Sequence, residues 1–250
     1  MEHVIYQDMA RLEQDHWWFV GRRKILDAMV KRTLRARGTT SAPRILEIGA
    51  GTGGNHDLLS QYGPTTFVEM EPLARDFFKQ RFPAADLRAG KLPNGLPFAP
   101  EQKFDLICLF DVLEHIEDEK ATLARIKSLL APGGYFILTV PAYQFLFSTH
   151  DTLNHHHRRY HRARLKAPLV GAGFKIETLS YINMGLLPLA LAARMADKLS
   201  KTEKSRGANM PAPFLNKIMS GLFGAESKLV PHISLPCGLS LLAVVQSRET

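Results

Sequence analysis

The run Arg44-Ile45-Leu46-Glu47-Ile48-Gly49-Ala50-Gly51-Thr52-Gly53-Gly54 constrains the fold more than any other stretch of the chain. A buried apolar strand that meets glycines this closely spaced has to turn sharply, and their missing Cβ atoms let the backbone approach a ligand before a helix opens. Phe67-Val68-Glu69-Met70-Glu71-Pro72 then reads as a second strand that ends on carboxylates. An ionised carboxylate only accepts hydrogen bonds, which suits the two hydroxyls of a ribose, so the pair of strands reads as a nucleoside-binding floor.

Two kinds of nucleoside ligand fit that floor. Gly49, Gly51 and Gly54 satisfy the G-x-G-x-x-G dinucleotide fingerprint, with an acid about 20 residues on. Glu47 weighs against a dinucleotide: a carboxylate under the turn repels a pyrophosphate but accepts hydrogen bonds from an ammonium group. At these residues the chain resembles the class I S-adenosylmethionine-dependent methyltransferases, whose first motif is written here as Glu47-Ile48-Gly49-Ala50-Gly51-Thr52-Gly53. The resemblance continues through Phe104-Asp105-Leu106-Ile107, Asp111-Val112-Leu113-Glu114-His115 and Leu129-Leu130-Ala131-Pro132-Gly133-Gly134, in the family's order. His16-Trp17-Trp18-Phe19-Val20-Gly21-Arg22-Arg23 and His155 through Tyr160 resemble segments of a bacterial subset, so the likeness covers about Trp17 through Val245. It implies a doubly wound, mostly parallel seven-stranded α/β sheet with a final antiparallel strand.

The pattern along the chain agrees with βαβ alternation. Helices are predicted over His16 to Thr33, Asn55 to Gln61, Leu73 to Arg81, Glu117 to Leu130 and Arg162 to Gly171, the last interrupted near Pro168. Strands are predicted at Arg44 to Ile48, Thr65 to Glu69, Phe104 to Phe110, Tyr135 to Val140, Phe174 to Tyr181 and Leu239 to Val245. Asp197 to Ala208 reads as a polar mobile loop, and Phe214, Leu215, Ile218, Met219, Leu222 and Phe223 recur at helical spacing. The resulting division is an amino-terminal helical cap at 1–40, a cofactor-binding core at 41–181, a helical insertion or lid at 182–232 and a last core strand at 233–250.

Only Cys108 and Cys237 are present, which fits two inert thiols in a reducing cytoplasm rather than a disulfide framework. The opening residues show no secretory leader pattern. The apolar stretch from Met184 to Ala193 falls short of the roughly 20 residues a spanning helix needs, although peripheral contact with a membrane surface is compatible with it. A formal charge of +8 and a pI near 9.6 favour an anionic partner. The aromatic and glycine signatures of common RNA-binding modules are absent, so no nucleic acid is expected.

The resemblance implies the site residue by residue. Glu47, Gly49, Ala50, Gly51 and Gly53 hold the methionine portion of the cofactor, Glu69 the ribose, with Glu71 as the alternative acceptor, and Met70 packs on the adenine. Lys91 replaces an acidic residue the family often shows, so the backbone of Lys91 and Leu92 is expected to meet the adenine amino group; Phe110 and Asp111 close the cofactor site. The catalytic candidates are Asp111, His150, Asp151 and His155 on loops at the carboxyl ends of strands, where ligands bind in open α/β sheets, while His115 also reads as a packed or capping residue. A histidine beside a carboxylate serves as a base near neutral pH. Trp17, Arg158, Arg159 and Tyr160 are candidate substrate contacts, the paired arginines suiting a phosphate or carboxylate. No metal is expected, histidine-dense loops without helical spacing usually being solvated. The expected reaction is methyl transfer to a small or lipid-linked acceptor, such as a phosphate-bearing saccharide, at oxygen rather than nitrogen or carbon. A non-catalytic S-adenosylmethionine-binding sensor is the second reading, and a nicotinamide-dependent oxidoreductase the third.

Overall fold

The computed structural model describes residues 3–38, 41–192 and 210–247, the side chains of residues 3–5 and of His150 excepted. The predicted loop at 197–208 lies outside the described residues. Helix α1 (His3–Leu12) and α2 (Trp17–Arg37) precede β1 (Ile45–Ile48), α3 (His56–Ser60), β2 (Thr65–Glu69), α4 (Pro72–Arg81) and β3 (Asp86–Ala89). There follow β4 (Phe104–Phe110), α5 (Glu119–Leu129), β5 (Leu130–Pro141), α6 (Thr149–Leu153), α7 (Arg162–Gly171), β6 (Phe174–Ile182), α8 (Pro213–Ala225) and β7 (Ser240–Ser247).

One seven-stranded sheet runs in the order β3-β2-β1-β4-β5-β7-β6. β1 pairs in parallel with β2 and β4, β2 with β3, and β4 with β5, whereas β7 is antiparallel to both β5 and β6. Every residue of β1 and β4 is buried, as expected of parallel strands covered on both faces. Chain reversal between β1 and β4 places the carboxyl ends of these strands at the switch point where open α/β sheets bind ligands.

α2 starts at His16, whose Nδ1 accepts from the Trp18 N–H at 3.4 Å, and ends at Gly38 in the left-handed conformation (φ +69°). Its buried stripe Ile25, Leu26, Met29 and Val30 faces the sheet layer, and Phe223 of α8 packs so closely under Gly21 that an added Cβ would lie 2.6 Å from its ring. Two expectations change. α7 continues through Pro168 without interruption, because Pro168 costs one backbone donor while its carbonyl still accepts from Ala172 at 2.9 Å. β5 begins at Leu130 rather than Tyr135: Pro132-Gly133-Gly134 forms a register irregularity against Phe104 to Leu106 and does not stop the strand. Neither α1 nor β3 is predicted from the sequence.

Candidate active site

A single cavity of about 1050 Å³ opens at the carboxyl ends of β1, β2 and β4. Its first wall is the glycine turn. Gly49, Gly51 and Gly53 all sit at positive φ (+79°, +55° and +95°), where a Cβ is strained. A Cβ on Gly49 would run into Val112 Cγ2, and one on Gly51 would touch Met9 Sδ at 3.4 Å. The turn is closed by Gly49 and Ala50 N–H groups donating to the Val68 carbonyl at 2.8 and 3.1 Å.

Glu69 stitches that turn to the second strand. Its Oε2 accepts from Gly51 N at 2.8 Å and its Oε1 from Glu71 N at 2.9 Å, which leaves lone pairs on the cavity side for hydroxyl donors. Burial raises the carboxyl above its ordinary value, partly offset by those backbone donors. Met70, half exposed, and Glu71 line the same wall, as do Lys91 and Leu92. The expected use of the Lys91 backbone changes: its N–H and C=O already pair with Gly95 at 3.1 and 2.8 Å, leaving the backbone of Leu92 to face a ligand.

Glu47 lies one layer below the cavity rather than on its wall. It is fully buried, its Oε1 accepts from Asn55 Nδ2 at 2.7 Å, and its Oε2 has no hydrogen-bond partner among the described residues. Asn55, which sequence reasoning missed, lines the cavity in its place. Burial pushes the Glu47 carboxyl up to about 7. Below pH 4.5 the group is protonated folded or unfolded, and between there and pH 7 ionisation increasingly opposes folding. The gap amounts to about 3 kcal/mol. Glu47→Gln is therefore expected to raise the urea midpoint at pH 8 and leave it unchanged at pH 4; equal shifts at both pH values would refute the assignment.

The second wall descends from α1 and α2. Glu13, buried, accepts from Thr52 Oγ1 at 2.7 Å and ion-pairs with Arg81, so the α1–α2 junction is fastened onto the glycine turn. Trp17 lines the cavity and packs edge-on to Phe223 at 6.3 Å; Trp18 carries the Arg22 guanidinium over its ring at 4.7 Å. Arg22 in turn ion-pairs with Asp111, which stands just after β4 at φ +56°. Asp111 thus lines the cavity with its charge matched by Arg22 of α2.

The third wall comes from the loops after β4 and β5, and here several expected roles change. Asp151 is fully buried and fully engaged: both oxygens accept from Arg159 (2.7 and 2.9 Å), Oδ1 meets His156 Nδ1 at 2.8 Å and Oδ2 accepts from Ser148 N at 2.9 Å. These donors hold it well below the usual carboxylate range, so it is an anchor and not a base. Arg159 is consumed by this pair, and Arg158 by Glu119 at 3.2 Å and the Glu117 carbonyl. Tyr160 is buried with its hydroxyl donating to Glu119 at 2.6 Å. Of the expected phosphate contacts, only Arg159 reaches the cavity. His155, exposed and at φ +56°, also lines it, while the side chain of His150 lies outside the described residues. Glu114, His115 and His156, not proposed together from the sequence, converge on this wall. Burial and the neighbouring His156 push His115 down to about 4, so its ring is neutral at pH 7.

A glycine-wrapped, carboxylate-stitched pocket at the switch point of this sheet defines an α/β enzyme that binds a nucleoside cofactor. Residues 21–179 match the methyltransferase-domain family, and the chain belongs to it: an S-adenosylmethionine-dependent methyltransferase. A Mycolicibacterium smegmatis protein named as an S-adenosylmethionine-dependent methyltransferase is 25% identical over 212 residues, 84% of this chain and 79% of that one. An S-adenosylmethionine-dependent methyltransferase structure from Clostridium acetobutylicum superposes with a TM-score of 0.60 at 14% identity, covering 98% of this chain and 97% of its own. A chain from the complex of the Haloferax volcanii Trm112 methyltransferase activator with a methyltransferase gives 0.59 at 17% identity, covering 98% and 94%. At such identities the two structures speak for the fold alone.

Proposed function

We propose that the enzyme methylates a hydroxyl of a small or lipid-linked acceptor with an apolar body. One observation carries this reading: a single cavity joins the glycine turn and Glu69 at one end to an aromatic and imidazole-lined end formed by Trp17, Trp18, Phe19, Leu146, His115 and His156. Its volume lies at the upper limit of about 1,000 Å³ for small-molecule sites, which is room for a cofactor and an acceptor side by side. The glycine cradle, which Cβ atoms would fill, and the unpartnered Glu47 Oε2 behind Asn55 fit an amino-acid-bearing nucleoside. When bound, S-adenosylmethionine supplies an activated methyl group with a neutral thioether as leaving group. The chain's own residues then have to align the acceptor and exclude water. The described residues of the predicted cap (3–38) and insertion (182–192 and 210–232) would serve as the cover over a core made of 41–181 and 233–247.

The lining carries eight acids, among them Glu13, Glu69, Asp111, Glu114, Glu117 and Asp118, against Arg22, Arg23, Lys91 and Arg159. Such a wall does not favour a polyanionic acceptor, and the phosphate of a saccharide is no longer supported by Arg158 and Arg159. An apolar, membrane-borne acceptor is supported instead by α8, whose Phe214, Leu215, Ile218 and Leu222 are exposed on one face, Phe214 by 77%. No helix among the described residues is long and apolar enough to cross a membrane, so contact through α8 would be interfacial.

Incubation with methyl-labelled S-adenosylmethionine and a bacterial lipid extract is expected to release S-adenosylhomocysteine and place the label in the organic phase. Cofactor binding without release would favour the non-catalytic sensor. With the double variant Phe214→Ser/Ile218→Ser, sedimentation with anionic phosphatidylglycerol vesicles should fall severalfold while cofactor affinity holds. Unchanged sedimentation would remove the membrane-borne acceptor.

A further inference from the structure

We propose that Glu114, His115 and His156 form a binding site for one divalent first-row transition-metal ion in the acceptor wall of the cavity. One ligand atom from each of the three lies within 4.8 Å of the other two. All three residues line the cavity, so a bound ion would keep a position open to a ligand.

Three further observations point the same way. Both carboxyl oxygens of Glu114 are buried without a hydrogen-bond partner among the described residues, a placement that is costly when nothing compensates it. The neighbouring guanidiniums offset this only in part, because Arg22 is also paired with Asp111 and Arg159 with Asp151. The two imidazoles are held as metal-binding imidazoles are held. His156 gives Nδ1 to the Asp151 carboxylate at 2.8 Å, which leaves Nε2 as its lone-pair nitrogen, and the His115 ring is hydrogen-bonded to the Asn154 backbone. The rings stand nearly perpendicular, 84° apart with centroids at 4.5 Å, so that they flank one point without stacking.

Two imidazole nitrogens and one carboxylate suit Zn²⁺, Co²⁺, Mn²⁺ or Fe²⁺ rather than Ca²⁺ or Mg²⁺. An acceptor hydroxyl bound at the open position would become more acidic and lose its proton to solvent, so that its oxygen would take the methyl group from S-adenosylmethionine as the neutral thioether leaves. That last role rests on the O-methylation reading; the binding of the ion does not.

The test uses the whole chain, stripped with EDTA and dialysed, and follows Co²⁺ by its visible absorption and Zn²⁺ by calorimetry. One equivalent of each should bind. Glu114→Gln and His115→Ala should each weaken binding by about 100-fold, the upper end of what even supporting residues cost, whereas His232→Ala, an exposed control, should not. Circular dichroism shows whether each variant is folded, and His115→Ala reports if Glu114→Gln is not. Absence of stoichiometric binding, or affinity unchanged in both variants, overturns the site. Neither readout needs an acceptor or S-adenosylmethionine, so failure here leaves the methyl-transfer reading standing, and failure to find a methylated product leaves the ion site standing.

Discussion

Replacing Asp151 with alanine is expected to cost the fold about 3–5 kcal/mol, the usual consequence of removing one partner from a buried ion pair. The residue is wholly inaccessible, and its loss leaves the Arg159 guanidinium and His156 Nδ1 without the acceptor that fixes both. Since Arg159 also reaches the Ala142 carbonyl, the damage should spread from α6 to the end of β5. Urea unfolding followed by circular dichroism measures it, and a change below about 1 kcal/mol, the size of an exposed pair, would show that Asp151 is not the anchor. The pH dependence gives a second check. The depressed carboxyl contributes stability above its unfolded value of 3.8 and loses it as pH falls through the lower folded value. Asp151→Ala should therefore flatten the acid limb of the stability curve. This is opposite in sign to Glu47, whose unfavourable ionisation grows as pH rises.

The second large effect falls on the cofactor. Gly49→Ala places a Cβ at φ +79°, where left-handed backbone costs an L-residue about 1–2 kcal/mol, and drives it against Val112 Cγ2. Relief requires the turn to move away from β4, taking the Gly51 N–H from Glu69. Calorimetric affinity for S-adenosylmethionine is expected to drop about 100-fold, equivalent to roughly 2.7 kcal/mol. Adding Val112→Ala should recover part of that loss, because the two side chains collide directly and their effects are not additive. Affinity within twofold of the native enzyme would mean that the turn does not form the cofactor floor.

Most of the parallel sheet is legible in the sequence because its strands are continuous apolar runs, as in Phe104 to Phe110, and its turns are marked by glycine and proline. β3 is not. Asp86-Leu87-Arg88-Ala89 is an edge strand, and the charges that blunt such an edge also erase the apolar signal that marks a strand. α1 is hidden for another reason: its placement depends on distant partners, among them the fastening of neighbouring Glu13 to Arg81 and Thr52. The glycine turn is legible because it is a local motif. The remaining walls of the cavity are set by pairings such as Arg22 with Asp111, 89 residues apart, and Arg159 with Asp151. Histidines and arginines in one loop read as solvated or ligand-seeking groups until the fold reveals which of them already have partners.

β7, which follows every other described strand in sequence, is nonetheless threaded between two earlier ones, and β6 joins the sheet only through it. A nascent chain in which Ser240 to Ser247 is still missing must carry two unpaired edges, one on β5 and one on β6, each a row of backbone donors and acceptors open to the wrong neighbour. The period of greatest exposure to aggregation during synthesis thus lasts until the final eight-residue seam is in place.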